Sequence, residues 1–229
     1  GVDFVSKHFS VSLSVFNNDI QNYIYNQKLV TSTGQDSVIG IGNQTFQYQA
    51  AKARLYGGEA SIDFHPHPLD WLHFENTLSV VYGVNKGVDG QPVTDSEKYL
   101  PFIPPFHGIS ELRAMFAHPF KHFANSFIKA QVEYYAAQNR VYLAYNTETS
   151  TPGYTLFDMA LGTDVLDKAG KTMFNISVFA DNLFNTAYQD HLSRLKYFEP
   201  YPNDPRGHYG IYNMGRNVGI KISVPLTLK

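Results

Sequence analysis

Apolar and polar residues alternate with a period of two along nearly the whole chain. Val11, Leu13 and Val15 alternate with Ser10, Ser12 and Ser14, and Ala60, Ile62 and Phe64 with Glu59, Ser61 and Asp63. Leu72, Phe74, Leu78 and Val80 alternate with His73, Glu75, Thr77 and Ser79. The same rhythm returns at Leu112–Phe116, Ile128–Tyr134, Phe157–Leu161, Phe174–Val178 and Val218–Val224. Side chains of a strand point alternately to two faces, so each run describes a strand with one apolar and one polar face. Helical periodicity is nearly absent. The alternation predicts about eight full strands, near 8–28, 45–64, 69–84, 106–117, 123–138, 153–166, 171–187 and 209–226, with residues 1–5 as the end of an earlier one.

A soluble sandwich carries the same alternation with its apolar face inward. Strand length and connector asymmetry separate the two cases. Runs such as 45–64 and 123–138 exceed the roughly 5–6 residues usual for soluble strands. A tilted membrane strand needs roughly 9–11 residues to cross the hydrocarbon. The connectors alternate between short (6–8, 65–68, 117–120, 167–170) and long (about 30–44, 85–104, 139–152, 189–213). Short periplasmic turns and long extracellular loops are the pattern of an outer-membrane barrel. The expected fold is therefore all-β, an antiparallel up-and-down transmembrane barrel.

Composition sharpens this reading. Charged residues make up 17 % of the 229 residues, while Tyr and Phe number 16 and 17. Soluble domains carry about 25 % charged residues, whereas a barrel wall touches lipid and carries aromatic girdles at both rims. The net charge of −2 argues against nucleic acid as a partner, because phosphate recognition needs a basic surface. Cysteine is absent, which excludes disulfides and thiolate metal sites. No apolar run approaches the ~20 residues of a spanning helix. The chain opens directly in strand-like alternation at Val2-Asp3-Phe4-Val5, which leads us to expect a piece of a longer exported protein.

The segment Phe179-Ala180-Asp181-Asn182-Leu183-Phe184-Asn185 resembles the penultimate-strand motif of TonB-dependent receptors, and the following Ala187–Tyr197 resembles a Bacteroidetes-type branch of them. Gly215-Arg216-Asn217, leading into the terminal alternating strand, and Tyr99-Leu100-Pro101-Phe102-Ile103-Pro104-Pro105 are further landmarks. The chain departs from the family at its last residues, Val224–Lys229, where an aromatic end is usual. The resemblance implies a barrel of about 22 strands with a plugged lumen. Residues 1–229 would supply its last eight or so strands, with the plug and the earlier strands outside them. It further implies an outer-membrane receptor of a Gram-negative bacterium that binds a scarce nutrient outside the cell and imports it with energy from the TonB complex, reached through the plug. Ferric siderophore is the first cargo to expect, with haem, copper or zinc, cobalamin and glycan as alternatives. No cofactor is implied.

Candidate ligand contacts gather where the penultimate strand enters the longest loop: His191, Arg194, Lys196, Tyr197, Arg206, His208 and Tyr209. Binding residues collect on loops held by a rigid scaffold, and cations beside aromatics suit an anionic or aromatic ligand. The same residues would equally build an aromatic upper rim. His65 and His67 flank a proline in a short turn near His73. Two such histidines could share a metal, but a rigid hairpin turn accounts for them, and no metal site is expected. Glu59, Asp63, Glu75, Glu111, Arg113, Lys129, Glu133, Asp158 and Lys221 share the polar face and should pair with one another. Nucleophile-elbow, phosphate-loop and HExxH patterns are missing from the sequence, so an enzyme is not expected. Two rivals remain at this stage: a self-contained eight-stranded barrel with a structural or adhesive role, and a barrel hydrolase.

Overall fold

A computed structural model describes residues 1–37, 45–88, 91–197 and 210–225. They form one antiparallel sheet of nine strands in sequence order. The strands are β1 (Val2–Val5), β2 (Phe9–Lys28), β3 (Phe46–Phe64), β4 (Leu72–Gly87), β5 (His107–Phe116), β6 (Phe123–Tyr135), β7 (Tyr154–Leu166), β8 (Thr172–Asp181) and β9 (Asn217–Ser223). Every strand expected from the alternation is present, including the initial stub. The last two are shorter than expected: β8 stops at Asp181 and β9 begins at Asn217. For β8 the cause is a left-handed backbone at Asn182 (φ 49°), which turns the chain out of the sheet.

The register carries the alternation across the sheet. Val11 faces Ile62, Leu78 faces Gly108, Ile128 faces Leu161, and Val178 faces Ile220. All stand on one face, and that face is uncovered: Val15 is 83 % exposed and Ile220 67 %. A soluble sandwich would bury these side chains, so the exposure identifies the apolar face as the lipid-facing wall. On the other face Asp63 stands opposite Glu75, Glu75 opposite Glu111, Glu111 opposite Gln131, and Gln131 opposite Asp158. Within this row Glu111 bonds Arg113 Nε at 2.9 Å and Lys129 at 3.0 Å, the mutual pairing expected of lumen charges.

Outward aromatics form two bands. Trp71 stacks on Phe116 and Phe120 meets Phe123 at the short-turn end. Phe106 meets Tyr134, and Tyr56 meets Tyr82, toward the long-loop end. Phe106 and Phe116 lie about ten residues apart along one tilted strand, which spans roughly 25 Å of membrane normal. That matches the height of an outer-membrane apolar band.

Among the described residues β1 and β9 do not pair with each other. The sheet is an open arc, which removes the reading of a self-contained eight-stranded barrel. Open strand edges carry unpaired backbone groups that hydrocarbon does not tolerate.

Candidate functional site

The described parts of three long connectors interlock above the lumen, and the β4–β5 connector starts the assembly. Leu100 is fully buried, and with Ile103 it packs on Ala53 at the lumen wall. Gly83 makes this seat possible, since a Cβ there would lie 2.7 Å from Ile103 Cδ1. The Tyr99–Pro105 landmark is thus a loop that folds inward. Between the two packed residues Phe102 adopts φ 61°, a strained conformation for a bulky side chain.

Glu148, in the β6–β7 connector, holds that strained turn. Its Oε1 accepts the backbone N–H of Phe102 at 2.8 Å, and its Oε2 accepts that of Tyr142 at 3.1 Å. Tyr142 is itself fully buried, edge-on to Tyr25 of β2. Gln138 Nε2 donates to Ile103 O at 2.8 Å, tying the same two connectors a second time. Burial pushes the Glu148 carboxyl above its ordinary range, against the pull of the two amides, Lys196 and Arg194.

The β8–β9 connector supplies the third part. Lys196 Nζ donates to Thr151 Oγ1 at 2.8 Å and approaches His191 Nδ1 at 3.2 Å. His191 Nδ1 lies 2.8 Å from Thr151 Oγ1, and its Nε2 lies 3.6 Å from Glu148 Oε1. An ammonium only donates, so Nδ1 must be the acceptor and the imidazole proton sits on Nε2, toward Glu148. Burial, with Lys196 adding to it, lowers the His191 pKa to about 4, so the ring is neutral at pH 7. Burial lowers Lys196 to about 8, partly offset by Glu148.

Arg194 and Tyr197 are the accessible members of this group. Arg194 is exposed, and its guanidinium lies 4.8 Å from the Phe102 ring centre, 5.0 Å from Tyr197 and 5.6 Å from Phe46. The Tyr197 hydroxyl accepts the Thr149 amide at 3.1 Å. Of the seven expected ligand contacts, His191 and Lys196 are therefore interior to the knot, while Arg194 and Tyr197 lie at its surface. Arg206, His208 and Tyr209 lie outside the described residues. Glu148, Thr151 and Phe102 were not anticipated: a loop has no periodicity to mark them.

The family motifs form a joint below the knot. Asn182 Nδ2 donates to Thr186 O at 2.9 Å, and its Oδ1 accepts the Thr186 amide at 2.8 Å. Its own amide bonds Asp158 Oδ1 in the lumen row at 2.7 Å. Asp181 Oδ2 accepts from Asn217 Nδ2, and Arg216 Nη1 reaches Leu183 O. Phe184 packs edge-on against Phe157 on the outer wall. Under this joint a lumen cleft of about 340 Å³ is lined by Glu133, Asp158, Asn182, Tyr188 and Gly215 among others. A larger groove of about 570 Å³, lined by Phe116, Phe120, Phe127, Ile128, Leu161 and Val178 among others, includes outer-wall residues and has an almost wholly apolar lining, which suits acyl chains rather than a polar cargo.

At the short-turn end the histidines sort differently from their spacing. His65 turns to Asp63 (3.2 Å) and His73 to the same carboxylate (3.5 Å), while His67 pairs with Asp70. The chain reverses at the prolines, so His65 and His67 do not share a face.

Among the described residues the knot holds no available nucleophile–base pair. Thr151 and His191 resemble a hydroxyl–base pair, yet both are buried and the imidazole acceptor is already held by Lys196. An exposed apolar wall, a polar lumen and interlocked loops at one end are the features of an outer-membrane β-barrel. A family model described as TonB dependent receptor-like, beta-barrel matches residues 1–183. The chain belongs to this family of outer-membrane transporters of Gram-negative bacteria, which are not enzymes. Among solved structures, the copper transporter OprC superposes with a TM-score of 0.70 at 17 % identity, covering 97 % of this chain and 30 % of that one. The ferric yersiniabactin uptake receptor FyuA from Yersinia pestis gives 0.60 at 17 % identity, covering 97 % and 28 %. The FrpB iron transporter from Neisseria meningitidis (F3-3 variant) gives 0.62 at 15 % identity, covering 97 % and 29 %. At these identities the likeness speaks for the fold alone, and the chain spans less than a third of each relative's length. No curated protein matches it by sequence.

Proposed function

We propose that residues 1–229 form the C-terminal part of the barrel of a receptor that captures a metal chelate outside the cell, a ferric siderophore first, and imports it with energy from the TonB complex. A plug domain and earlier strands outside this chain complete the receptor, and the plug is the element that meets TonB. The observation that carries the cargo class is Arg194. It is an exposed cation framed by Phe46, Phe102 and Tyr197 at the extracellular mouth. A guanidinium among aromatic faces suits an anionic chelate with planar rings, through charge-assisted bonds and ring contact. The three solved structures named above are a copper transporter, a ferric yersiniabactin uptake receptor and an iron transporter, which agrees with a metal cargo. In this reading Arg194 and Tyr197 touch the ligand together with Arg206, His208 and Tyr209, while His191 and Lys196 position them from beneath.

The test is growth of a deletion strain on defined sources of ferric siderophore, haem, copper, zinc, cobalamin and glycan, complemented with wild type or Arg194→Ala. Siderophore-dependent growth restored by wild type and reduced at least tenfold in rate-limiting supply by the variant supports the reading. Restoration confined to another source reassigns the cargo, and equal growth with both alleles removes Arg194 from the site.

A further inference from the structure

We propose that Asp63, His65 and His73 bind one divalent transition-metal ion at the periplasmic rim of the barrel, on its lumen side. Asp63 is the penultimate residue of β3 and His73 the second of β4, and both belong to the lumen-facing set, as the pairing of Asp63 with Glu75 requires. His65 follows β3 directly, its amide bonded to His8 O at 2.9 Å. One ligand atom from each of the three residues falls within 4.8 Å of the other two.

The two nitrogen–oxygen distances suit an ion that takes both Asp63 oxygens, one beside each imidazole. A tetrahedral ion with metal–nitrogen bonds of 2.0–2.1 Å separates its ligand atoms by about 3.3 Å. His65 Nδ1 lies 3.2 Å from Asp63 Oδ2, and His73 Nδ1 lies 3.5 Å from Asp63 Oδ1. The two imidazoles stand 5.9 Å apart between ring centres, inclined by 30°. Asp63 Oδ1 is enclosed by protein yet has no hydrogen-bond partner, and a buried carboxylate oxygen in that state is unusual. An ion would complete its coordination.

The charge pattern points the same way. Asp63 stands directly opposite Glu75, and Glu75 opposite Glu111. Like charges in facing positions oppose each other. Glu111 is neutralised by Arg113 and Lys129, but among the described residues no lysine or arginine pairs with Asp63 or Glu75. A dication bridging Asp63 would relieve that row. Two imidazoles with one carboxylate suit zinc or copper(II) rather than magnesium or calcium, which prefer all-oxygen shells. Three protein ligands leave at least one position for water, so the ion would exchange. The site lies at the end of the barrel opposite the loop knot, and the proposal stands whatever the cargo.

The experiment is titration of the full-length receptor, folded in detergent, with Zn2+ and separately Cu2+, alongside Asp63→Asn, His65→Gln and His73→Gln. His67→Gln serves as control, because His67 pairs with Asp70 outside the cluster. We expect one site whose affinity falls at least tenfold in each of the three variants and is unchanged in the control, with Mg2+ failing to compete. Electron paramagnetic resonance of the Cu2+ form should report two nitrogen ligands in wild type and one in His73→Gln. Equal affinity across the set, an equal loss in the control, or a wild-type copper spectrum that lacks two-nitrogen coupling would overturn the proposal. The spectrum decides even where a variant fails to fold.

Discussion

Asn185 Oδ1 accepts the backbone N–H of Arg216 at 2.9 Å, joining two points separated by the longest connector in the chain. Asn185 itself has φ 55°, a conformation asparagine tolerates better than most residues. A Cβ on Gly215 would lie 2.6 Å from the same oxygen, which explains why a glycine stands there. The Asp181–Asn185 and Gly215–Asn217 segments are therefore two halves of one joint that fixes where β8 ends and β9 begins.

Asn185→Ala should lower stability by roughly 1–3 kcal/mol, from a lost hydrogen bond and a less tolerant backbone. Asn182→Ala should cost more, because three bonds converge there and two of them use the side chain. Gly215→Ala should resemble Asn185→Ala. The temperature at which each folded barrel loses its compact mobility on electrophoresis measures the order. Equal behaviour of wild type and Asn182→Ala would remove the joint.

Glu148 makes the next case. Replacing it by Ala leaves the Phe102 and Tyr142 amides without acceptors inside a buried knot, at roughly 1–3 kcal/mol each, and releases the strained turn at Phe102. Glu148→Gln keeps one acceptor oxygen and should sit between. Hydrogen exchange at residues 96–103 and 138–151 should rise in the order wild type, Gln, Ala, while exchange in β5 to β7 stays unchanged. Uniform exchange in the loops across the series would refute the hub.

The knot should also respond to acid. Folded His191 titrates near 4 instead of 6.5, so between those values the folded ring stays neutral while an opened loop would take up a proton. The stability this contributes is complete above pH 6.5 and is lost as pH falls toward 4, amounting to roughly 3 kcal/mol at most. Glu148 acts in the opposite sense, because its raised pKa favours the knot at low pH and that gain fades as pH rises through it. The groups around the imidazole are Glu148, Lys196, Asp190 and Thr151. Comparing wild type with His191→Gln, which retains an acceptor for Lys196, isolates the imidazole. With the intrinsic pH dependence of amide exchange divided out, loop protection should fall from pH 7 to pH 5 more in wild type than in the variant; parallel profiles would exclude His191 as the acid-sensitive group.

How much of this was legible before the structure depends on what each segment must satisfy. Lipid imposes period two on every spanning residue, so Val11, Ile62, Leu161 and Ile220 declared their faces, and strand order followed from the short turns. The stub at Val2–Val5 was legible for the same reason. The loops obey no such period. Glu148 reads as one acid among several polar residues, and nothing in its neighbours announces two amides from different segments. His191 and Lys196 were visible as unusual residues, but their burial depends on Thr151, forty residues away from His191. The early end of β8 escaped because a positive φ at Asn182 interrupts a run that still alternates on paper. The partnership of His65 with His73 escaped because the prolines turn His67 aside.

The two-faced wall makes the sharpest claim about adjacent residues. Ile220 faces Val178 across the outer surface and is 67 % exposed, whereas Lys221 stands opposite Ser177 on the lumen side. Ile220→Arg places a charge against hydrocarbon and should cost roughly 2–4 kcal/mol if the position is near the midplane. Lys221→Ser removes a charge from a watered surface and should change stability by about 0.5 kcal/mol or less. Folding of the full receptor into lipid vesicles against urea gives both values. The contrast needs lipid: in a water-soluble fold an arginine at an exposed position would be nearly neutral, so a small effect of Ile220→Arg in vesicles would mean that the exposed wall does not touch the membrane.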